Sequence, residues 1–171
     1  MNPKSTLKDL LLLGDPRLYE SCAPIESTEI DKIPGWIDKM QEVMDEIKRR
    51  YRFGRGIAAP QLGIMKRLVL INIENPWILI NPQVVNHGKE TFELWDDCMS
   101  LPLLLVKVER HKEITIKYRD LHWDEKEITL VDDLSELLQH EIDHLNGILC
   151  TMRAIDSKSF KWKGIISNNE F

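Results

Sequence analysis

No apolar stretch of this 171-residue chain approaches the roughly 20 residues a membrane-spanning helix needs. The run Leu10 to Leu13 is too short for the core of a secretory leader, and Asp9 and Asp15 bracket it. The cytoplasm is therefore the expected compartment. Cysteine is scarce: Cys22, Cys98 and Cys150 make an odd set that does not suggest a disulfide framework. A one-sided basic patch is also missing. The net charge is −5, and the only short basic cluster, Lys48, Arg49, Arg50 and Arg52, sits beside Asp45 and Glu46 as a solvated helix end would. Nucleic-acid binding is not indicated. There is no internal repeat, low-complexity segment, linker or glycine-rich phosphate loop opening a helix, so residues 1–171 read as one domain.

Two segments carry helical spacing. In the first, from Trp36 to about Tyr51, Ile37, Met40, Val43, Met44 and Ile47 recur on one face, with Pro34 and Gly35 before it and Gly54 after it. The second runs from Asp133 to about Ile148, with Gly147 near its end. Between them lie strand-like stretches: Arg67–Ile73, Trp77–Val85, "LLLVKVER", "EITIKYRD" and "KEITLVDD". The order is helix, several antiparallel-looking strands, then a late helix. This predicts an α+β fold whose antiparallel sheets pack around a central helix.

That late helix contains "LLQHEIDHLNGILC", Leu137 to Cys150. His140 and His144 stand at i and i+4 and so share a helix face, where two neutral imidazoles can bind one divalent cation. Glu141 lies next to them without being a ligand, placed to take a proton from water and return it to a leaving amine. This is the H-E-x-x-H logic of metal-assisted hydrolysis. The flanking Leu137, Leu138, Ile142, Leu145 and Ile148 imply a mostly buried helix. Buried imidazoles and carboxylates are costly without partners, and a cation supplies one.

A third ligand is needed. Position 150, where one zincin class has histidine, is Cys150, and only a short chain follows it. The upstream candidates are Cys22, His87, Cys98, His111 and His122. Residue chemistry alone does not choose among these and Cys150. Cys98 has the most suggestive setting, "WDDCMSLP".

Three stretches together resemble the peptide deformylase family: "GRGIAAPQ" (Gly54 to Gln61), "DDCMS" (Asp96 to Ser100) and "QHEIDHLNG" (Gln139 to Gly147). They are similar to that family's Gly-x-Gly-x-Ala-Ala-x-Gln, Glu-Gly-Cys-Leu-Ser and Gln-His-Glu-x-Asp-His-Leu-x-Gly motifs, in the same order. The resemblance implies a hydrolase of N-terminal processing in protein biosynthesis. Its substrate would be an N-formylmethionyl peptide, with nascent chains at the ribosome as partner, and its products formate and a free amine. It further implies Cys98, His140 and His144 as metal ligands, Fe(II) foremost with Zn, Ni or Co able to replace it. Glu141 would be the acid/base. Gln61 and the backbone N–H of Met99 would be oxyanion donors. Gly54, Arg55, Gly56 and Asp97 would line the substrate, and a side chain at Gly56 would obstruct its approach.

The second motif departs from the family pattern. Asp96 stands for glutamate, Asp97 for glycine and Met99 for leucine. A carboxylate at Asp97 is expected to narrow the site, to repel anions or to require a strained positive φ. Leu105 stands where many members carry a substrate-facing arginine, which admits a related metallo-amidase of different substrate or a catalytically impaired homologue. Leu103 to Leu105 read as a buried strand or as an apolar wall for the substrate. Arg110 is expected to pair with Asp143 in support of the metal site. The tail "SKSFKWKGIISNNEF" is not expected to form a long helix.

Overall fold

The computed structural model describes residues 6–163. Two α-helices, α1 (Ile33–Tyr51) and α2 (Asp132–Leu145), combine with eight strands among the described residues. The strands are β1 (Gly56–Ala58), β2 (Leu68–Asn72), β3 (Pro76–His87), β4 (Thr91–Cys98), β5 (Leu101–His111), β6 (Glu113–Arg119), β7 (Glu125–Val131) and β8 (Phe160–Trp162). They form a five-stranded sheet in the order β1-β2-β3-β6-β7 and a three-stranded sheet in the order β4-β5-β8. All pairings within both sheets are antiparallel, so the α+β class is as expected. Neither described α-helix is long and apolar enough to cross a membrane.

The five-stranded sheet is covered on both faces at its β1–β2 end, and β2 explains how. Its side chains alternate across the sheet. Leu68 and Leu70 pack with Met40, Val43, Met44 and Ile47 of α1, whereas Val69 and Ile71 pack with Leu138, Ile142 and Leu145 of α2. A strand buried on both faces reads as continuously apolar, as "LVLIN" does.

Helix α1 begins at Ile33, earlier than its sequence signals suggest, because Pro34 is tolerated in a first turn where its missing N–H has no helical partner. It ends at Tyr51, as expected, and the left-handed residue after it is Arg52 (φ 58°) rather than Gly54; the Arg52 N–H donates to the Lys48 carbonyl at 3.0 Å. Arg49 and Arg50 pair with Glu46 at the solvated end. Helix α2 ends at Leu145 rather than near Ile148. The chain then turns at Gly147, where φ is +70° and a Cβ would lie 2.5 Å from the Tyr19 carbonyl oxygen. Only glycine fits that approach.

Strand β4 was not visible in the sequence pattern. Its burial alternates weakly and Trp95 faces outward. The hairpin partner β5 fixes it, running in register from Thr91↔His111 to Asp97↔Leu105 before a shift that sets Cys98 against Leu101. Strand β5 corrects the expectation for the leucine run. Leu103 is 48% exposed, Leu104 and Leu105 are half-buried, and β8 pairs along this edge. The run is therefore neither a buried strand nor a wall of the pocket described below. The expectation for the tail falls partly on β8; residues 164–171 lie outside the described residues.

Replacing Gly147 by alanine should cost about 2 kcal/mol or more, because it combines a left-handed backbone with a backbone clash. Chemical denaturation checks this; an unchanged midpoint would contradict the packing described.

Candidate active site

His140 and His144 project from the same face of α2, with ring centroids 4.9 Å apart and both rings buried. Their Nε2 atoms lie 3.2 Å from each other, and the Cys98 Sγ lies 3.3 Å from His144 Nε2. The three donor atoms fall within 4.8 Å of one another. Donors bound to one cation at the usual ~2.0–2.3 Å necessarily sit roughly 3–4 Å apart, so this set fits a shared metal ion. Cys98 reaches the helix because the register shift in β4 turns it inward. Cys150 is not in this donor set. It packs with Leu101, Val106 and Val108, and burial pushes its thiol up to about 12. Cys22 lies in the core beneath α2, pushed by burial up to about 11. His87 and His111 stack on each other with centroids 4.5 Å apart, and His122 lies in the turn before β7.

Asp96 orients His140. Its carboxylate lies 2.9 Å from His140 Nδ1, which directs Nε2 toward the donor set. Burial alone would raise the Asp96 pKa, but His140 and Arg110 together hold it at about 2. Burial likewise disfavours a charged His140, yet the charge and hydrogen bond of Asp96, with Cys98, raise it well above the ordinary value. His144 goes the other way, lowered by burial, by His140 and by Arg110. Arg110 is 3% exposed and links strand to helix. It donates to Asp96 at 3.0 Å and pairs with Asp143, as expected from sequence. Arg153 also donates to Asp143, at 2.8 Å.

Glu141 is buried with its Oε2 lacking a hydrogen-bond partner among the described residues. Burial pushes it up to about 7, with Asp96 and Glu136 adding to the effect and His140 and Arg55 opposing it. An acid/base group with that pKa exchanges protons readily near neutrality. Gln61 is buried, and its orientation is set at both ends. Its Oε1 accepts from the Ala58 N–H at 2.9 Å, and its Nε2 faces Ser100 Oγ at 3.2 Å and Cys98 Sγ at 3.6 Å. The amide N–H₂ therefore points toward the donor set. Met99 lies beside it, buried, at the turn between β4 and β5.

The remaining sequence candidates lie around one pocket of about 300 Å³, lined by Gly54, Arg55, Gly56, Gln61, Asp97, Met99, His140 and Glu141 among others. Gly56 has a reason more specific than substrate clearance. A Cβ there would sit 2.7 Å from Glu141 Oε1 and 2.8 Å from Ile71 Cδ1. Gly54 adopts φ +102°. Asp97 does not take a positive φ, so the strain expected of it is not found. Its carboxylate is paired with Lys163, whose ammonium also sits 3.7 Å from the Phe53 ring centroid, and so it does not stand as a free anion. Sequence reasoning missed Asp96 as the His140 partner, Ser100 beside Gln61, Arg153, and Glu136, which pairs with Arg55. The acidic Asp96 just before a candidate ligand was a signal for the first; the others had none.

A candidate cation site, flanked by a buried carboxylate with one unpartnered oxygen among the described residues and by an aimed carboxamide, has the make-up of a hydrolase acting on a carbonyl compound. Residues 7–160 match the family model of polypeptide deformylases. A peptide deformylase of Brachyspira hyodysenteriae is 38% identical over 151 residues, covering 83% of this chain and 78% of that one. The crystal structure of a Synechococcus elongatus peptide deformylase in complex with actinonin aligns with TM-score 0.80 at 30% identity, over 88% of this chain and 80% of that one. A Met-Ala-Ser-bound class I type b peptide deformylase of Acinetobacter baumannii aligns with TM-score 0.77 at 29% identity, over 84% and 96% respectively. The chain belongs to the polypeptide deformylase family.

Two variants test the geometry. Arg110→Ala leaves Asp96 without its guanidinium partner and Asp143 with only Arg153, and should cost roughly 3–5 kcal/mol in stability while lowering metal affinity. Denaturation and metal titration read both. Gly56→Ala should displace the Glu141 carboxylate, so that turnover falls while bound metal, measured by elemental analysis, does not.

Proposed function

We propose that this chain is a metal-dependent hydrolase that removes the formyl group from N-formylmethionyl peptides and releases formate. The observation that carries the reading is the convergence of Cys98, His140 and His144 beside a buried Glu141 whose Oε2 has no hydrogen-bond partner among the described residues. Family membership and the Met-Ala-Ser-bound relative support a peptide with a free N-terminus as the product.

Cys98, His140 and His144 would hold a divalent cation, which when bound supplies Lewis acidity to the formyl carbonyl and to the attacking water. We assign Fe(II), with Zn, Ni or Co compatible with the same thiolate and two imidazoles. Glu141 accepts the proton that water loses as its oxygen bonds to the formyl carbon. The Gln61 Nε2 and the Met99 backbone N–H donate to the oxygen on which negative charge develops. The C–N bond then breaks, and Glu141 returns the proton to the departing nitrogen, leaving a neutral amine. Asp96 keeps His140 in the tautomer whose Nε2 faces the cation. Gly54, Arg55, Gly56 and Asp97 flank the peptide. An impaired homologue would not need an oriented Gln61 or a desolvated Glu141, and both are present.

We further read the chain as one domain arranged about α2. The substrate would be formylated nascent chains from the ribosome, and the compartment the cytoplasm, where such chains are made.

Protein loaded anaerobically with Fe(II) or Ni(II) should release formate from formyl-Met-Ala-Ser and leave acetyl-Met-Ala-Ser intact. Glu141→Ala should lower the rate by about 10²–10⁴-fold or more with metal retained. Metal content should be lost in Cys98→Ala and kept in Cys150→Ala; the reverse pattern would refute the ligand assignment.

A further inference from the structure

The pocket beside the donor set does not have a uniformly apolar lining. Arg55, next to Gly56 at the start of β1, and Glu136, in the second turn of α2, form an ion pair at its edge. The guanidinium is 45% exposed and the carboxylate 8%. Leu94 and Leu137 supply apolar surface nearby. Glu136 precedes His140 by one helical turn, and Leu137 precedes Glu141 by the same step, so each pair has Cβ atoms about 5–6 Å apart. A formyl carbon held at the donor set places the first Cα of its peptide two bonds away, roughly 2.5 Å. The first side chain of the substrate is therefore the group that shares this pocket with Arg55 and Glu136.

Resting on the deformylase reading above, we propose that the Arg55–Glu136 pair is a specificity determinant that lets formylated N-termini with a polar first side chain, a carboxamide in particular, be accepted alongside methionine. The oxygen of a carboxamide accepts from the guanidinium while its N–H₂ donates to the carboxylate, so each charged group exchanges a water for a hydrogen-bonding partner. A thioether or branched alkyl group lacks a donor and has at best a weak acceptor. Pressed against the pair, it strips water from two charges and returns nothing. The aliphatic stem of Arg55 offers such a side chain some apolar contact, so methionine is accepted rather than excluded. The pair thus flattens the preference for methionine.

The test uses the metal-loaded enzyme and kcat/KM for formyl-Met-Ala-Ser, formyl-Leu-Ala-Ser and formyl-Gln-Ala-Ser. The native chain should process the Gln peptide within about tenfold of the Met peptide. In Arg55→Leu/Glu136→Leu, the Met-to-Gln ratio should rise by at least about tenfold, the scale on which apolar pockets discriminate. Thermal melts report whether that variant folds, and Arg55→Met/Glu136→Gln, which keeps both shapes without charge, provides the same comparison if it does not. A native preference for Met over Gln beyond tenfold, or an unchanged ratio in either folded variant, overturns the proposal. Absence of formate from every peptide overturns the deformylase reading together with it.

Discussion

The site depends on one buried guanidinium. Arg110 ties Asp96 on β4 to Asp143 on α2, and Asp96 in turn orients His140. Charges taken out of water are costly unless paired and hydrogen-bonded, so the three groups stabilise the fold only in their mutual arrangement. That arrangement fixes the β4–β5 hairpin against α2. The hairpin carries Cys98 and the helix carries both histidines. The network is thus the reason a sulfur from one sheet meets two imidazoles packed on the other.

Close backbone approach is the second constraint. At one edge of the pocket, Gly56 leaves room for the Glu141 carboxylate and for Ile71, and at the C-terminal end of α2, Gly147 passes against the Tyr19 carbonyl. Helix α2 is therefore seated tightly against β1 and against the segment preceding α1. Gln61 follows from the same seating. The short 3₁₀ turn Ala59–Leu62 after β1 lets its amide oxygen close on Ala58 while its nitrogen faces inward. These contacts hold Glu141 and Gln61 in place, which is what electrostatic preorganisation would demand of them in the proposed reaction.

Around that centre lies a charged periphery. Asp97 is tied to Lys163, and Lys163 also lies over Phe53, so the described C-terminal segment reaches both walls of the pocket. Arg55 and Glu136 oppose each other at its edge. The residues around the donor set match the family motifs, while the pocket beside them is edged by ion pairs. On the proposed reading, the chemistry would rest with the few atoms of the donor set and the selectivity with these walls, so the two can vary separately.

The sequence by itself determined the helix face bearing His140 and His144, with Glu141 beside it, because i,i+4 spacing fixes neighbours without reference to the rest of the chain. The same local logic gave α1 and most of the strands, whereas the stretches around Gly54 and Cys98 stood out through their resemblance to the deformylase motifs. Tertiary structure alone decided what lies across space from them. Strand β4 is held by pairing with β5 rather than by its own weak alternation, and the leucine run is half-exposed because it lies in the small sheet and not in the core. The Asp96–His140, Arg55–Glu136 and Lys163–Asp97 pairs span 44, 81 and 66 residues. Periodicity encodes which way a side chain faces along its own element, but not which distant residue will be waiting there.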